Sequence, residues 1–164
     1  MSLFNIVLII LLLYLTATIG IYLFQRKLLY HPSAPPHFTQ VNTGDGLVHK
    51  FEKVNIKVNE KINLNGWLHI KDLKKKTILI FHGNAGNLDN RIYKLNPIGD
   101  LDINFFIIAW RGYSENPGKP TEMGLYEDAE SSVKYLLSKG ILERNIILYG
   151  ESLGAAIAID ISQN

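Results

Sequence analysis

The sequence predicts an α/β fold with a mainly parallel sheet, preceded by a single transmembrane helix. Two observations predict the sheet: short apolar, β-rich runs alternate with helical patterns after residue 77, and loops rich in glycine follow these runs. Strands that alternate with helices form βαβ crossovers, which produce parallel sheets. A third observation predicts the membrane helix, because residues 1–25 carry no charged side chain.

The composition excludes several classes of function. The chain has 164 residues and a formal net charge of +2, which is too small to indicate a nucleic-acid partner. Basic residues do not alternate with aromatic ones in a stripe, as they do in many nucleic-acid-binding proteins. There is no cysteine, so the chain has neither a disulfide framework nor a cysteine-based metal site. We therefore expect no nucleic-acid partner.

Residues 1–27 are interpreted as an uncleaved membrane anchor with its flank. The apolar segment 3–24 would rise about 33 Å as a helix, enough to cross a hydrocarbon core of about 30 Å. A cleaved signal peptide fits less well, because no Lys or Arg precedes the segment and no small-x-small cleavage site follows it. Arg26 and Lys27 follow the segment, so the positive-inside rule places the remaining chain in the cytoplasm. These two charges are the only ones next to the segment that indicate a side.

Residues 28–47 are expected to form an extended linker between the anchor and the domain. The prolines in this stretch favour a stiff, extended chain. His31 and His37 are interpreted as linker residues, since no carboxylate or cysteine cluster accompanies them as a metal site would require. The domain itself is expected to cover residues 48–164.

Within this domain, the pattern of apolar residues predicts each strand and helix in turn. Strands are predicted at 50–58, 62–70, 77–81, 104–110 and 145–149, and helices at 88–98 and 121–139. Thr121 is expected to cap the second of these helices and Gly140 to end it. Each helix is expected to carry its apolar residues on one face: Leu88, Ile92 and Leu95 in the first, and Leu125, Ala129, Val133, Leu136 and Leu137 in the second.

The pentapeptide Gly150-Glu151-Ser152-Leu153-Gly154 has the pattern G-x-S-x-G. By itself this pattern is easily matched by chance. Here an apolar strand precedes it and a helix of small residues follows it, which is the context of a nucleophile elbow. Ser152 is therefore the candidate nucleophile, held in a sharp turn where flanking glycines avoid collision between helix and strand.

The loop at residues 82–87 follows another strand and is expected to face Ser152, because the carboxyl ends of parallel strands meet at one edge of the sheet. It lacks the lysine and the glycine spacing of nucleotide-binding loops. Acyl transfer requires backbone amides that stabilise an oxyanion. We expect one donor to be the Leu153 amide and the other to be the Asn84 amide, with Ala85 as the alternative.

Other polar residues near the predicted site are given structural interpretations. His82 is interpreted as tying its loop to neighbouring residues, not as the catalytic base. Arg111 is interpreted as a structural arginine that bonds loop carbonyls, and Tyr113 as a packing residue. Glu151 receives no role from the sequence.

Five motifs in this order make the sequence resemble a known family: His82–Asn87, Arg111–Ser114, Pro117–Glu122, Leu125–Ala129 and Gly150–Gly154. Together they are similar to the membrane-anchored serine hydrolases of the α/β-hydrolase superfamily, in the branch named "alpha/beta hydrolase domain-containing". The resemblance implies an ester, thioester or amide hydrolase with a Ser–Asp–His triad, some relatives acting on lysophospholipids or protein-bound palmitate. It also implies the α/β-hydrolase fold and an N-terminal anchor.

The sequence departs from that family after Ser152. In the family the acid and the histidine follow the nucleophile, but residues 153–164 contain only Asp160, expected as an ordinary helix residue, and no histidine. The chain is therefore predicted to be the N-terminal part of a longer enzyme, truncated after the elbow helix, with the elbow strand left as an uncovered sheet edge.

The functional prediction is a serine hydrolase of acyl esters or thioesters that requires no cofactor. The membrane anchor makes lipid or lipidated substrates plausible by proximity. The isolated chain is expected to show little hydrolysis, since the base lies outside it. The alternative prediction is a catalytically inactive, hydrolase-like binding module tethered to the membrane.

Overall fold

The computed structural model describes residues 1–33 and 51–163. The chain divides into two compact units, Met1–His31 and Pro32–Asn164. Most of the predicted linker 28–47 and the predicted domain start at residue 48 lie outside the described residues. The predicted domain boundaries therefore stay predictions.

The first unit consists of one long helix, α1 (Leu3–Leu29). Ser2 caps it, because its side chain accepts a hydrogen bond from the Asn5 amide. Arg26 and Lys27 lie in its last turn, where cations interact favourably with the helix dipole. No residue of α1 is buried, and the helix is long and apolar enough to cross a membrane. It includes two leucines, at 28 and 29, that the prediction gave to the linker.

The remaining elements follow the predicted alternation of strand and helix. Short 3-10 helices at Asp89–Arg91 and Glu143–Asn145 precede the second helix and the last strand. The strands are β1 (His31–Pro32), β2 (Glu52–Lys57), β3 (Asn63–His69), β4 (Thr77–Phe81), β5 (Ala85–Gly86), β6 (Asn104–Ile108) and β7 (Ile146–Gly150), and the helices are α2 (Ile92–Asp100), α3 (Glu122–Ser138) and α4 (Leu153–Ile161).

Five of these strands form one sheet in the order β2-β3-β6-β4-β7. The pairs β2–β3 and β3–β6 are antiparallel, and the pairs β6–β4 and β4–β7 are parallel. The parallel half contains the predicted site, because Phe81 at the end of β4 pairs with Gly150 at the end of β7. After β4 the chain forms β6, which lies on one side of β4, and then crosses to form β7 on the other side of β4. Ligands of α/β sheets bind at such a change of direction.

The core lies around the two central strands. Every residue of β6 is buried, and so are four of the five residues of β4. This burial on both faces explains why these strands appear in the sequence as continuous apolar runs. On α3 the buried apolar residues include Leu125, Ala129 and Leu136, as predicted. The prediction for Leu137 was wrong: its side chain is 41% exposed, since it lies about 100° around the helix from Leu136.

Some element boundaries differ from the prediction. The predicted helix at 88–98 begins only at Ile92, because Asp89–Arg91 forms a 3-10 turn. Strand β6 ends at Ile108, two residues before the predicted end. Among the described residues β7 lies at the edge of the sheet, and its Ile147 and Tyr149 are exposed. The predicted uncovered strand edge is thus confirmed.

Candidate active site

Ser152 lies in a strained turn between β7 and α4. Its backbone has φ 51° and ψ −115°, a conformation that residues other than glycine rarely adopt. The serine is exposed, and its side chain makes no capping hydrogen bond to α4. Strain of this kind costs on the order of 1–3 kcal/mol and persists only where the surroundings enforce it.

The two glycines of the pentapeptide allow this turn to pack. A Cβ atom on Gly150 would lie 2.2 Å from the Gly154 carbonyl oxygen. A Cβ atom on Gly154 would lie 2.1 Å from the carbonyl oxygen of Phe81, at the end of β4. Both distances are far below a van der Waals contact, and both neighbours are backbone atoms. The helix therefore approaches the sheet as closely as it does because both positions lack a side chain.

The loop after β4 lies directly opposite Ser152. A Cβ atom on Gly83 would be 3.6 Å from the Cβ atom of Ser152. Ser152 and this loop line one open cleft of about 380 Å³, whose walls include Asn84 and Ala85. Leu153 adjoins the cleft as the first residue of α4, where a helix has amides without intrahelical partners. The structure thus brings Ser152 together with both alternative loop residues.

His82 is buried and bonded at both ring nitrogens. Its Nδ1 lies 2.7 Å from the Gly83 carbonyl oxygen, and the Trp110 amide donates to its Nε2 at 3.2 Å. These contacts require the neutral tautomer with hydrogen on Nδ1. Burial lowers the pKa of His82 to about 3. The geometry agrees with a structural role for this histidine and does not fit a catalytic base.

Glu151, which received no role from the sequence, forms an ion-pair cluster beside the nucleophile. Lys94 Nζ donates to its Oε1 at 2.7 Å, and Arg91 Nη1 lies 3.9 Å from its Oε2. This hydrogen bond raises the pKa of Lys94. Arg91 also donates to the Ala85 carbonyl oxygen, so the cluster links the elbow to the facing loop. Because Glu151 lies about sixty positions along the chain from Arg91 and Lys94, no local pattern could have identified the cluster.

Arg111 is structural, but its partners differ from the prediction. It bonds carboxylates and not loop carbonyls: its Nε and Nη2 donate to Asp128 Oδ1 at 2.9 and 2.7 Å, and Nη2 also donates to Glu127. The Arg111 amide donates to the other Asp128 oxygen at 2.9 Å. Asp128 is fully buried on α3, and burial raises the pKa of its carboxyl group. A buried carboxylate needs a cation, which explains why Arg111 bonds Asp128 and not the predicted loop carbonyls.

Tyr113 packs in the core as predicted, but it also makes a polar contact that the sequence did not predict. Its side chain is fully buried, and its hydroxyl donates to the Asn84 carbonyl oxygen at 2.8 Å. Asp160 lies in α4, in agreement with the prediction of an ordinary helix residue. Across residues 1–33 and 51–163, no group of three or more His, Asp or Glu side chains is arranged to hold a metal ion.

Solved structures with the same fold identify the class of protein. An α/β hydrolase of Vibrio vulnificus is 34% identical and superposes with a TM-score of 0.57, covering 68% of this chain and 39% of that one. A Pyrococcus furiosus esterase at 22% identity shares the fold with a TM-score of 0.57, over 80% of this chain and 50% of its own. These likenesses show that the chain has the α/β-hydrolase fold.

Curated relatives agree with this assignment. The protein bem46 of Schizosaccharomyces pombe is 33% identical over 150 residues, which are 85% of this chain and 48% of that protein. An uncharacterized membrane protein of Saccharomyces cerevisiae is 31% identical, over 87% of this chain and 51% of its own. The alpha/beta hydrolase domain-containing protein WAV2 of Arabidopsis thaliana is 27% identical over 86% of this chain. No protein-family model matches the chain. It spans about half the length of these relatives.

Proposed function

We propose that the full-length protein is a membrane-anchored serine hydrolase of acyl esters or thioesters, with Ser152 as its nucleophile. The observation that carries this proposal is the conformation of Ser152, held at φ 51° between Gly150 and Gly154 and facing the loop of Asn84. A strained, exposed serine at the N-terminus of a helix is the arrangement that acyl-transfer enzymes of this fold use.

In the proposed reaction, Ser152 Oγ attacks the acyl carbon and loses its proton to a histidine. The former carbonyl oxygen becomes an anion that accepts hydrogen bonds from the Leu153 amide and from the Asn84 amide, with Ala85 as the alternative. When this intermediate collapses, the bond to the leaving oxygen or sulfur breaks, and the alcohol or thiol takes up the proton. Water then releases the acid from the acyl-enzyme in the same way. These steps require no cofactor.

We propose that the histidine and the acid lie in a part of the full-length protein outside residues 1–164. His82 does not serve as the base, because it is buried and both its ring nitrogens are bonded. The relatives are about twice as long as this chain, which leaves room for both groups. We therefore expect the isolated 164-residue chain to hydrolyse esters far more slowly than the full-length protein.

Hydrolysis of p-nitrophenyl acyl esters by the full-length protein tests the nucleophile. We expect Ser152→Ala to lower kcat by at least about a thousandfold, as the loss of a catalytic serine does elsewhere. Ser138→Ala is the matched control, since it removes an exposed serine on α3. A Ser152→Ala variant with unchanged kcat would exclude this serine as the nucleophile.

We further propose that α1 anchors the domain to the cytoplasmic face of a membrane and so favours lipid or lipidated substrates. Arg26 and Lys27 at the end of α1 support this side. Removal of residues 1–29 should shift the protein from the membrane fraction to the soluble fraction. In sealed vesicles with the cytoplasmic face outward, protease should digest the domain. Protection of the domain would place it on the opposite side.

The second candidate is an inactive, membrane-tethered binding module. The bonding of His82 at both ring nitrogens favours it, because this histidine cannot take up the proton of Ser152. The two candidates differ in one measurement on the full-length protein. A binding module would show no ester hydrolysis but would still bind a non-hydrolysable acyl analogue.

A further inference from the structure

We propose that Tyr113 is a positioning residue for the oxyanion hole, acting through the carbonyl group of Asn84 on the amide of Ala85, which is the alternative loop donor. This inference rests on the proposed function, since it assigns a role in the same reaction. Tyr113 does not line the cleft with Ser152. Its effect on catalysis would therefore pass through the backbone of the facing loop.

Two buried side chains hold two successive carbonyl groups of that loop. The Tyr113 hydroxyl donates to the Asn84 oxygen at 2.8 Å, and His82 Nδ1 donates to the Gly83 oxygen at 2.7 Å. The two rings pack edge to face, with centroids 5.2 Å apart and planes at 67°. Tyr113 is fully buried and His82 is only 1% exposed. The loop is thus held from the core side by a rigid aromatic pair.

The orientation of these carbonyl groups fixes the orientation of the amides that follow them. In a planar trans peptide the C=O and N–H bonds point in opposite directions. The Asn84 amide is therefore turned away from His82, and the Ala85 amide away from the Tyr113 hydroxyl. Successive amides turned toward one side form a concavity that binds anions. This orientation favours donation to the cleft that Ser152 lines.

The backbone that carries Tyr113 is itself strained and tethered. Ser114 has φ 48° and Glu115 has φ 66°, although neither is glycine. The Ser114 hydroxyl accepts a hydrogen bond from the Leu88 amide at 2.9 Å, just beyond the oxyanion loop. Asn116 closes the turn by donating to the Ala109 carbonyl oxygen at 2.7 Å. Strain held in place by such contacts is typical of functional sites. Here the strained turn holds the Tyr113 hydroxyl within hydrogen-bond distance of the Asn84 carbonyl oxygen.

The test compares Tyr113→Phe with wild type in the full-length protein, using a p-nitrophenyl acyl ester. The substitution removes only the hydroxyl and keeps the ring in the core. We expect kcat to fall about 10- to 100-fold with KM unchanged, because the oxyanion donors act in the transition state. Tyr126→Phe is the matched control, since it removes a tyrosine hydroxyl that bonds Glu122 on α3. Its kcat should stay within twofold of wild type.

The outcomes separate this inference from the proposed function. If Ser152→Ala abolishes hydrolysis but folded Tyr113→Phe keeps kcat within twofold of wild type, the positioning role is overturned and the nucleophile stands. If Ser152→Ala leaves hydrolysis intact, the proposed function itself fails. Should Tyr113→Phe fail to fold, Ser114→Gly provides the test, because glycine accepts the φ of 48° but lacks the hydroxyl that ties the Tyr113 turn to the Leu88 amide. That variant should lower kcat at unchanged KM, and an unchanged kcat would overturn the inference.

Discussion

Replacement of Gly154 by alanine tests how tightly the nucleophile turn is packed. The added methyl carbon would lie 2.1 Å from the Phe81 carbonyl oxygen and 2.6 Å from its carbonyl carbon. A carbon and a carbonyl oxygen normally approach to about 3.3 Å, so α4 must retreat from β4 by about 1 Å. Neither obstacle is a flexible side chain. We therefore expect a loss of about 3 kcal/mol in the free energy of unfolding, near the upper end for overpacking.

The same displacement should reduce reactivity. A shift of about 1 Å in a reacting group costs about a hundredfold in rate, and Ser152 directly precedes the displaced helix. Urea denaturation and the rate of labelling by a fluorophosphonate measure the two effects in the full-length protein. Wild-type stability and labelling in Gly154→Ala would refute the close approach of helix and strand.

Two further predictions concern buried ionisable side chains. Burial lowers the pKa of His82 from 6.5 to about 3, so the unfolded chain takes up a proton first as the pH falls. Stability should therefore decrease from pH 6.5 toward pH 3 by up to about 1.4 kcal/mol per pH unit. Urea titrations at several pH values measure the free energy of unfolding of wild type and of His82→Gln. This free energy should depend less steeply on pH in the variant, and an equal dependence would contradict the burial of a neutral imidazole. Asp128→Asn leaves the Arg111 guanidinium without its buried partner and should destabilise the protein by about 3–5 kcal/mol. Glu130→Gln, which breaks an exposed pair with Lys134, should cost at most about 1 kcal/mol by the same measurement.

Local patterns in the sequence predicted the elements that carry the site. The apolar run at 77–81 is β4 with the predicted ends, because a strand buried on both faces is almost wholly apolar. Its one polar residue, Thr77, is the first residue of the strand and accepts a hydrogen bond from Asn104. Thr121 caps α3 as predicted, since its side chain accepts from the Gly124 amide. The turn at Ser152 was also predictable, because strand, glycines and small helix residues adjoin it in the chain. In these cases the physical cause lies within a few residues of the effect.

Contacts between distant parts of the chain were not predictable in this way. Arg111 was assigned loop carbonyls, but its partner Asp128 lies beyond a loop and between one and two helix turns into α3. The bond from Tyr113 to Asn84 and the cluster around Glu151 join segments that only the sheet brings together. The prediction for Leu137 failed for a local reason, since two adjacent helix residues cannot both face the centre of one interface.

The most direct test of the account is to locate the adduct that a fluorophosphonate forms on the full-length protein. After digestion, mass spectrometry should find the phosphonate on Ser152 and on no other serine, because this is the side chain that the turn presents to the loop of Asn84. Labelling of a different serine, or the absence of any adduct in active protein, would contradict the claim that this turn holds the nucleophile.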